Sequence, residues 1–155
     1  MMEPRIVKQS EVDNAPYIIW NIFIDIVACG DMSDMSDIQK KAALCFWYDS
    51  ELQNGGHLQY FENTSVNGVT DYQEVVAALK QLGAIQQAEI LSKAISVRDT
   101  EKRGFIKTVN EFADRAREGL YDSLDKEYYD CSPDIVSLLQ NMLEKHQSEF
   151  ITIES

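Results

Sequence analysis

Apolar residues recur at helical spacing along almost the whole chain, and no segment shows sustained strand alternation bounded by hairpin turns. The pattern predicts an all-α fold, organised as a single compact multi-helix domain over residues 1–155. Residues 1–13 precede the first strong apolar pattern, and we expect them to form a flexible N-terminal tail. A chain of 155 residues is long enough for one domain that buries roughly 70% of the surface exposed by its unfolded form.

Capping and breaking residues divide the first third of the pattern into two helices. Asn14 is placed to cap a first helix, with Pro16 in its opening turn, and Gly30 is placed to end it. Ser36 then caps a second helix over about residues 37–53. The first of these helices is the most apolar run of the chain, and it is shorter than the roughly 18 residues that suggest a membrane span.

Two glycines mark the next break, because glycine tolerates backbone angles that other residues avoid. Gly55 and Gly56 are expected to end the second helix and turn the chain. A short helical segment over about residues 57–63 follows, and Asn67–Gly68 is expected to be a turn.

From Thr70 onward the apolar pattern predicts further helical segments. One begins at Thr70 and ends at Gly83, and the next, starting near Ile85, pairs with it as a hairpin. A further helix is expected over about residues 104–116, with Phe105, Ile106, Val109 and Phe112 facing the core.

Beyond that helix, Gly119 is a candidate interruption, and the apolar pattern resumes over residues 120–131. Ser132 followed by Pro133 is a start signal for a last helix that runs to about Phe150.

Acidic residues outnumber basic ones by 26 to 14, which gives a formal net charge of −12. This charge disfavours direct binding to nucleic acid or membranes and favours basic partners. An acidic protein that is merely soluble is the alternative interpretation.

The acids are concentrated in two segments, residues 11–37 and 111–134. If residues 111–128 form one helix, Asp114, Glu118, Asp122 and Asp125 lie on a single face. Such a row resembles one edge of a nucleic-acid backbone, whose phosphates recur about every 3.4 Å. A solvated helix face that neighbouring basic residues partly neutralise is the alternative. The candidate partner-binding residues are Asp114, Glu118, Asp122, Asp125, Glu127, Asp130, Asp31, Asp34 and Asp37.

No motif for a metal, a cofactor or a catalytic nucleophile is visible, so we expect none of these and predict that the protein is not an enzyme. His57, with Asp49 and Glu51 nearby, is the best candidate acid–base residue. However, no set of partners converges on it, and a polar residue after a Gly-Gly turn is expected at the surface. Three widely spaced cysteines predict neither a disulfide framework nor a zinc site, which fits a reducing cytoplasm.

Three tyrosines lie among the acids of the second acidic segment, Tyr121, Tyr128 and Tyr129. Amphipathic rings beside carboxylates suit a protein-binding surface, and they suit the boundary of a core equally well. The sequence leaves both interpretations open.

One segment carries a family resemblance. Residues 54–63 read NGGHLQYFEN, and an Ala-Leu-rich helix, Gly83–Ala84 and the run AEIL at residues 88–91 follow. In these features residues 40–150 resemble the bacterial DNA-mimic protein family through an NGGxxQYFxN core. His57 stands where the family usually has an aromatic or apolar residue. The resemblance implies an all-helical, dimer-forming acidic protein that occupies the DNA-binding surface of a transcription factor or another basic protein.

Two other classes of function remain open. One is an immunity or antitoxin-like protein that neutralises a specific protein partner through a mixed apolar and acidic surface. The other is a small enzyme. Binding through clustered carboxylates should weaken as salt rises, because exposed charges are screened within about 10 Å at roughly 0.1 M ionic strength.

Overall fold

A computed structural model shows eight α-helices and one short sheet within the residues that it describes, which are 2–66, 71–101, 103, 104 and 106–155. The all-α prediction is confirmed. The helices are α1 (Gln9–Asn14), α2 (Ile18–Cys29), α3 (Asp37–Val66), α4 (Tyr72–Leu82), α5 (Ile85–Thr100), α6 (Val109–Glu118), α7 (Asp122–Tyr129) and α8 (Ile135–His146). Strands β1 (Arg5–Lys8) and β2 (Ile151–Glu154) form the sheet.

The longest helix, α3, lies at the centre of the fold and packs against α2, α4, α7 and α8. Its start confirms the predicted cap. Gln39 N–H donates to Ser36 Oγ over 3.3 Å, and Ser36 N–H donates to Gln39 Oε1 over 3.0 Å. This reciprocal pair is a capping box, which satisfies two backbone donors that a helix start leaves unpaired.

A kink divides α3 at Gly55 (φ −159°, ψ 16°) and Gly56 (φ 71°, ψ −167°). The backbone angles of Gly56 belong to a region that is essentially restricted to glycine. The predicted break is therefore confirmed, but helical geometry resumes at once and continues to Val66, beyond the predicted end at residue 63. The expected Asn67–Gly68 turn lies outside the described residues.

Helix α2 begins later than predicted. Asn14 is the last residue of α1, and a turn at Pro16 and Tyr17 separates it from Ile18, so Asn14 does not cap α2. Gly30 ends α2 as predicted, and its N–H donates to Ile26 O over 2.9 Å. None of the helices in the described ranges is long and apolar enough to cross a membrane.

Helices α4 and α5 form the predicted hairpin, with Gly83 ending α4 in a left-handed conformation (φ 95°). Asp71 caps α4, since its side chain accepts hydrogen bonds from the N–H groups of Gln73 and Glu74. The start expected at Thr70 lies outside the described residues.

Helix α6 differs more from its prediction. It begins at Val109, after the Thr108 cap, and not near Gly104. Val109 was expected in the core, but 85% of its surface is exposed, and α6 contains no buried residue. Phe112 is only partly buried, and Phe105 lies outside the described residues. The predicted helix forms, but among the described residues no neighbouring element covers its apolar side completely.

The last helix is shorter than predicted because Asp134, and not Ser132, caps it and because it ends at His146. The chain then enters a 3₁₀ turn and β2, which pairs in parallel with β1 from Arg5–Ile151 to Lys8–Glu154. Residues expected in a flexible tail therefore form β1 and α1, and Val7 is buried. Strands of four residues are too short to show alternation in the sequence.

Candidate functional site

Helix α7 carries three of the eight acids in the second acidic segment, and it is separate from α6. Gly119 (φ 68°) ends α6, and α7 starts at Asp122. The hypothesis that residues 111–128 form one helix is therefore wrong. Because α6 and α7 are separate helices, helical spacing does not place Asp114 and Glu118 on one face with Asp122 and Asp125.

Asp125 points into the protein and contacts His57. Its Oδ1 accepts from the His57 backbone N–H over 3.0 Å and lies 2.6 Å from His57 Nδ1. On the other side of the ring, His57 Nε2 lies 2.6 Å from the Tyr48 hydroxyl. With Nδ1–H donating to Asp125 and Nε2 accepting from Tyr48, both ring nitrogens are satisfied. We call these three residues the Asp125 network.

His57 has no exposed surface, so the expectation that it lies at the protein surface is wrong. Burial raises the pKa of Tyr48 well above its ordinary value, so this hydroxyl keeps its proton and donates to the imidazole. His57 is fully buried and protein groups contact both of its ring nitrogens, so neither nitrogen is open to solvent. The arrangement is a buried structural network.

The Gly-Gly kink makes room for this network. A Cβ atom on Gly56 would lie 2.3 Å from Asp125 Oδ2 and 2.8 Å from its Cγ. Asp125 therefore approaches the backbone of α3 where a side chain is absent. Nothing in the sequence connects residue 125 to residue 57. The unusual histidine after the glycines was the only local sign that the turn had a polar partner.

Two tyrosines attach α7 to the first half of α3. The Tyr128 hydroxyl donates to Asp49 Oδ1 over 2.5 Å, and the Tyr129 hydroxyl donates to Leu52 O over 2.5 Å. Tyr128 is buried, and this burial raises its pKa well above the ordinary value. Tyr121 is also buried, which raises its pKa to about 12. For these two residues the core-boundary interpretation is correct, whereas Tyr129 is 50% exposed.

The outward side of α7 and its C-terminal cap carries three exposed carboxylates, Asp122, Glu127 and Asp130, which we call the α7 acids. Glu127 Oε2 lies 3.6 Å from Lys93 Nζ, and both side chains are more than half exposed. Ion pairs of this kind contribute little, because water screens them and both long side chains lose freedom. Asp122 and Asp130 form no ion pair with any residue that the structure describes.

Both candidate acids of α6 are paired with arginines. Arg103 donates to both carboxylate oxygens of Glu118 over 2.6 Å and also bonds Glu101. Hydrogen bonds from Arg103 lower the pKa of Glu101 to about 2 and lower that of Glu118. Asp114 Oδ1 accepts from Arg117 over 2.7 Å. The negative charge of this helix is therefore largely offset by adjacent cations.

The first acidic segment supplies a second exposed group, Asp31, Asp34 and Asp37, which we call the loop acids. Asp31 Oδ1 accepts from Ser33 N–H over 2.9 Å and from its hydroxyl over 2.7 Å, which lowers the pKa of Asp31. None of the three is paired with a cation among the described residues. Asp37 begins α3, about 18 Å along the helix axis from Asp49, where α7 is attached.

A cleft of about 420 Å³ lies between α6, α7, the end of α5 and the second half of α3. The guanidinium group of Arg98 lies 5.6 Å from the Phe61 ring centre and 5.1 Å from that of Tyr72. Side chains of both signs line the cleft, among them Arg115 and Asp122. In the described part of the chain, no three His, Cys, Asp or Glu side chains are placed to hold a metal ion.

The fold and these surfaces define an all-helical protein with two groups of exposed candidate acids, one at the start of α3 and the loop before it and one on α7. The family model of the DMP19-like protein family matches residues 33–146, which include α3 to α8. The chain therefore belongs to the DMP19-like family, a family of DNA-mimic proteins, as the sequence resemblance indicated. Neither the comparison with curated proteins nor the comparison with solved structures gives a significant match.

Proposed function

We propose that this protein is a DNA mimic that binds the DNA-binding surface of a transcription factor or another basic protein. The observation that carries the proposal is the division of α7 into two sides. Its inner side is attached to α3 by the Asp125 network and two tyrosines, whereas its outer side presents the α7 acids to solvent. A rigid helix that holds carboxylates outward suits recognition of cationic side chains, because little ordering is needed on binding.

The spacing of the α7 acids supports this role. Asp122 and Asp130 are about 12 Å apart along the helix axis, since an α-helix rises about 1.5 Å per residue. Several phosphates of one DNA strand, about 3.4 Å apart along its axis, occupy a similar length. The loop acids are the second candidate surface. Asp114, Glu118 and Asp125 are removed from the proposed contacts, since the first two are paired with arginine and the third faces His57.

The proposal describes binding without a catalytic step. A bacterial transcription factor as partner would place this activity in the cytoplasm. A homodimer, which the family resemblance implies, is part of the proposal, and light scattering after size-exclusion chromatography tests it.

Charge-matched variants test which surface binds. One triple variant neutralises the α7 acids as Asp122→Asn, Glu127→Gln and Asp130→Asn, and a second neutralises the loop acids as Asp31→Asn, Asp34→Asn and Asp37→Asn. A control neutralises exposed acids elsewhere as Glu89→Gln, Glu144→Gln and Glu154→Gln. Each variant makes the formal net charge of −12 less negative by three units.

Immobilised wild-type protein should capture a DNA-binding protein from lysate, and both moderate salt and duplex DNA should release it. The α7 variant should lose this capture, while the control should retain it. Equal loss in all three variants would show that only the overall charge matters, and capture that duplex DNA does not displace would contradict mimicry.

Exposed apolar residues beside the acids favour one alternative, a neutralising protein of the immunity or antitoxin kind. Val109 is 85% exposed and Leu120 is 43% exposed, both near the acids of α6 and α7. For this function, capture should resist salt and should be lost in Val109→Asp. Release of the partner by moderate salt, with Val109→Asp unchanged, would exclude it.

A further inference from the structure

The Asp125 network joins three segments of the molecule at one point. Tyr48 lies on α3 before the kink, His57 lies just after it, and Asp125 lies in the middle of α7. A single carboxylate oxygen, Asp125 Oδ1, accepts both the backbone N–H and the ring N–H of His57. The bend of α3 and the location of α7 are therefore coupled through two side chains and one backbone amide.

We propose that Asp125 is a positioning residue for the α7 acids and does not itself contact the partner. This inference rests on the proposed function and assigns His57 and Tyr48 to the same role. The Asp125 side chain is 20% exposed and that of His57 is 0% exposed, so a partner surface has little access to either group. Asp122 is one helical turn before Asp125, and Glu127 and Asp130 follow it closely, so a shift of α7 moves all three acids.

Every buried hydrogen-bonding group of the Asp125 network has a partner, so the loss of one side chain leaves another group unpaired. Within the described residues, no buried side-chain nitrogen or oxygen lacks a hydrogen-bond partner. Removing the acceptor at residue 125 leaves the ring N–H and the backbone N–H of His57 buried without their shared partner. Buried polar groups in that condition are strongly unfavourable, and α7 would move to let water reach them.

Two substitutions of Asp125 separate position from charge. Asp125→Asn removes the negative charge but retains an Oδ1 that accepts both hydrogen bonds, whereas Asp125→Ala removes charge and acceptor together. Asp130→Asn removes one exposed charge of the same helix and is the matched control. If Asp125 contacts the partner through its charge, Asn and Ala should impair binding alike. If it positions α7, Asn should resemble the wild type.

Hydrogen exchange gives the first measurement. In Asp125→Ala, amides of α7 should exchange about 10- to 100-fold faster, which corresponds to loss of one buried hydrogen-bonded group, while α4 and α5 keep their protection. Asp125→Asn should exchange within about threefold of the wild type, a difference smaller than that of one such hydrogen bond. Uniform acceleration in all helices would mean that Asp125 only stabilises the fold, and unchanged α7 exchange in Asp125→Ala would overturn the inference.

The second measurement is the binding of a deca-arginine peptide at several salt concentrations. Asp125→Ala should weaken binding more than Asp130→Asn does, and Asp125→Asn should weaken it no more than Asp130→Asn. Equal effects of Asn and Ala at residue 125 would contradict positioning. Tyr48→Phe, which removes only one hydroxyl, should accelerate α7 exchange less than Asp125→Ala, and it serves as the readout if the alanine variant does not fold.

Failure of the proposed function can be distinguished from failure of this inference. If the wild-type protein does not bind deca-arginine, the binding function is contradicted. The exchange of α7 amides in the three Asp125 and Tyr48 variants still decides whether the network holds α7, because that measurement needs no partner.

Discussion

Helices α6 and α7 are adjacent in the chain and similarly acidic, yet the fold treats them differently. Helix α7 has two buried residues, Leu124 and Tyr128, and side-chain hydrogen bonds to both halves of α3. Helix α6 has no buried residue, and two of its three acids, Glu118 and Asp114, are paired with Arg103 and Arg117 on the exposed surface. Acidic residues at helical spacing therefore do not define one surface.

This difference shows that the exposure and pairing of an acidic side chain depend on how its helix packs against the rest of the protein. On α7 the buried contacts fix the backbone, so the outward carboxylates remain unpaired with arginine and available to a partner. On α6, Glu118 bonds Arg103 outside the helix and Asp114 pairs with Arg117 of the same helix, so adjacent cations offset the charge of both acids. The four predictions that follow separate these two cases, in order of decreasing effect.

The largest loss of stability is expected from Gly56→Ala, because this substitution disturbs both the kink in α3 and the Asp125 network. The backbone angles of Gly56 are unfavourable for alanine, and the added Cβ would lie 2.3 Å from Asp125 Oδ2. We expect a loss of about 2–4 kcal/mol in the free energy of unfolding, measured by urea denaturation. Gly83→Ala is the control, since its Cβ would meet only Leu138 Cδ2 at 3.9 Å and should cost about 1 kcal/mol. Equal losses in the two variants would show that the approach of Asp125 is unimportant.

A smaller effect is expected from removing the Tyr128 hydroxyl. Tyr128→Phe leaves the partly buried Asp49 carboxylate with only the longer hydrogen bond from Gln53 Nε2, at 3.4 Å, and should reduce the free energy of unfolding by about 1–2 kcal/mol. Tyr129→Phe removes a bond from a half-exposed ring to Leu52 O and should cost less. Thermal unfolding of both variants measures the difference. A larger loss for Tyr129→Phe would mean that burial does not rank these two attachments.

Arg103→Ala should affect α6 alone. Arg103 bonds Glu101 and Glu118 at the protein surface, where ion pairs add little to global stability. We expect an almost unchanged unfolding midpoint, faster hydrogen exchange in α6 and unchanged exchange in α7. Faster exchange in α7 as well would show that the two helices are coupled and that the contacts with α3 do not fix α7 independently of α6.

The smallest effect concerns pH. Arg103 lowers the pKa of Glu101 from its ordinary 4.5 to about 2, so the ionised form is favoured in the folded protein. The resulting stabilisation is fully present above about pH 4.5 and is lost as pH falls through about 2. Carboxyl carbon NMR should follow this titration in the wild type. In Arg103→Ala, the pKa of Glu101 should rise towards 4.5, because only the backbone N–H of residue 103 still donates to it, and an unchanged titration would exclude the Arg103 side chain as the cause.

Much of the fold could be predicted from the sequence because its signals are local. The Ser36 cap, the Gly-Gly break and the Gly83 hairpin each depend on residues a few positions apart. The site could not be predicted in the same way. Asp125 looked like one more member of an acidic row, because its contact with His57 spans the chain and leaves no periodic trace. Val109 was misassigned to the core because periodicity shows an apolar side but not whether another element covers it.

The pairing of β1 with β2 bears on the order in which the parts of the protein fold. Strand β1 pairs with β2 in the sheet that the structure describes, and Arg5 pairs with Ile151, so residues 6–150 lie between these two partners. Joining such distant residues is entropically unfavourable until the helices between them have packed. We therefore expect the two strands to pair last during folding, after the helices have packed into a bundle.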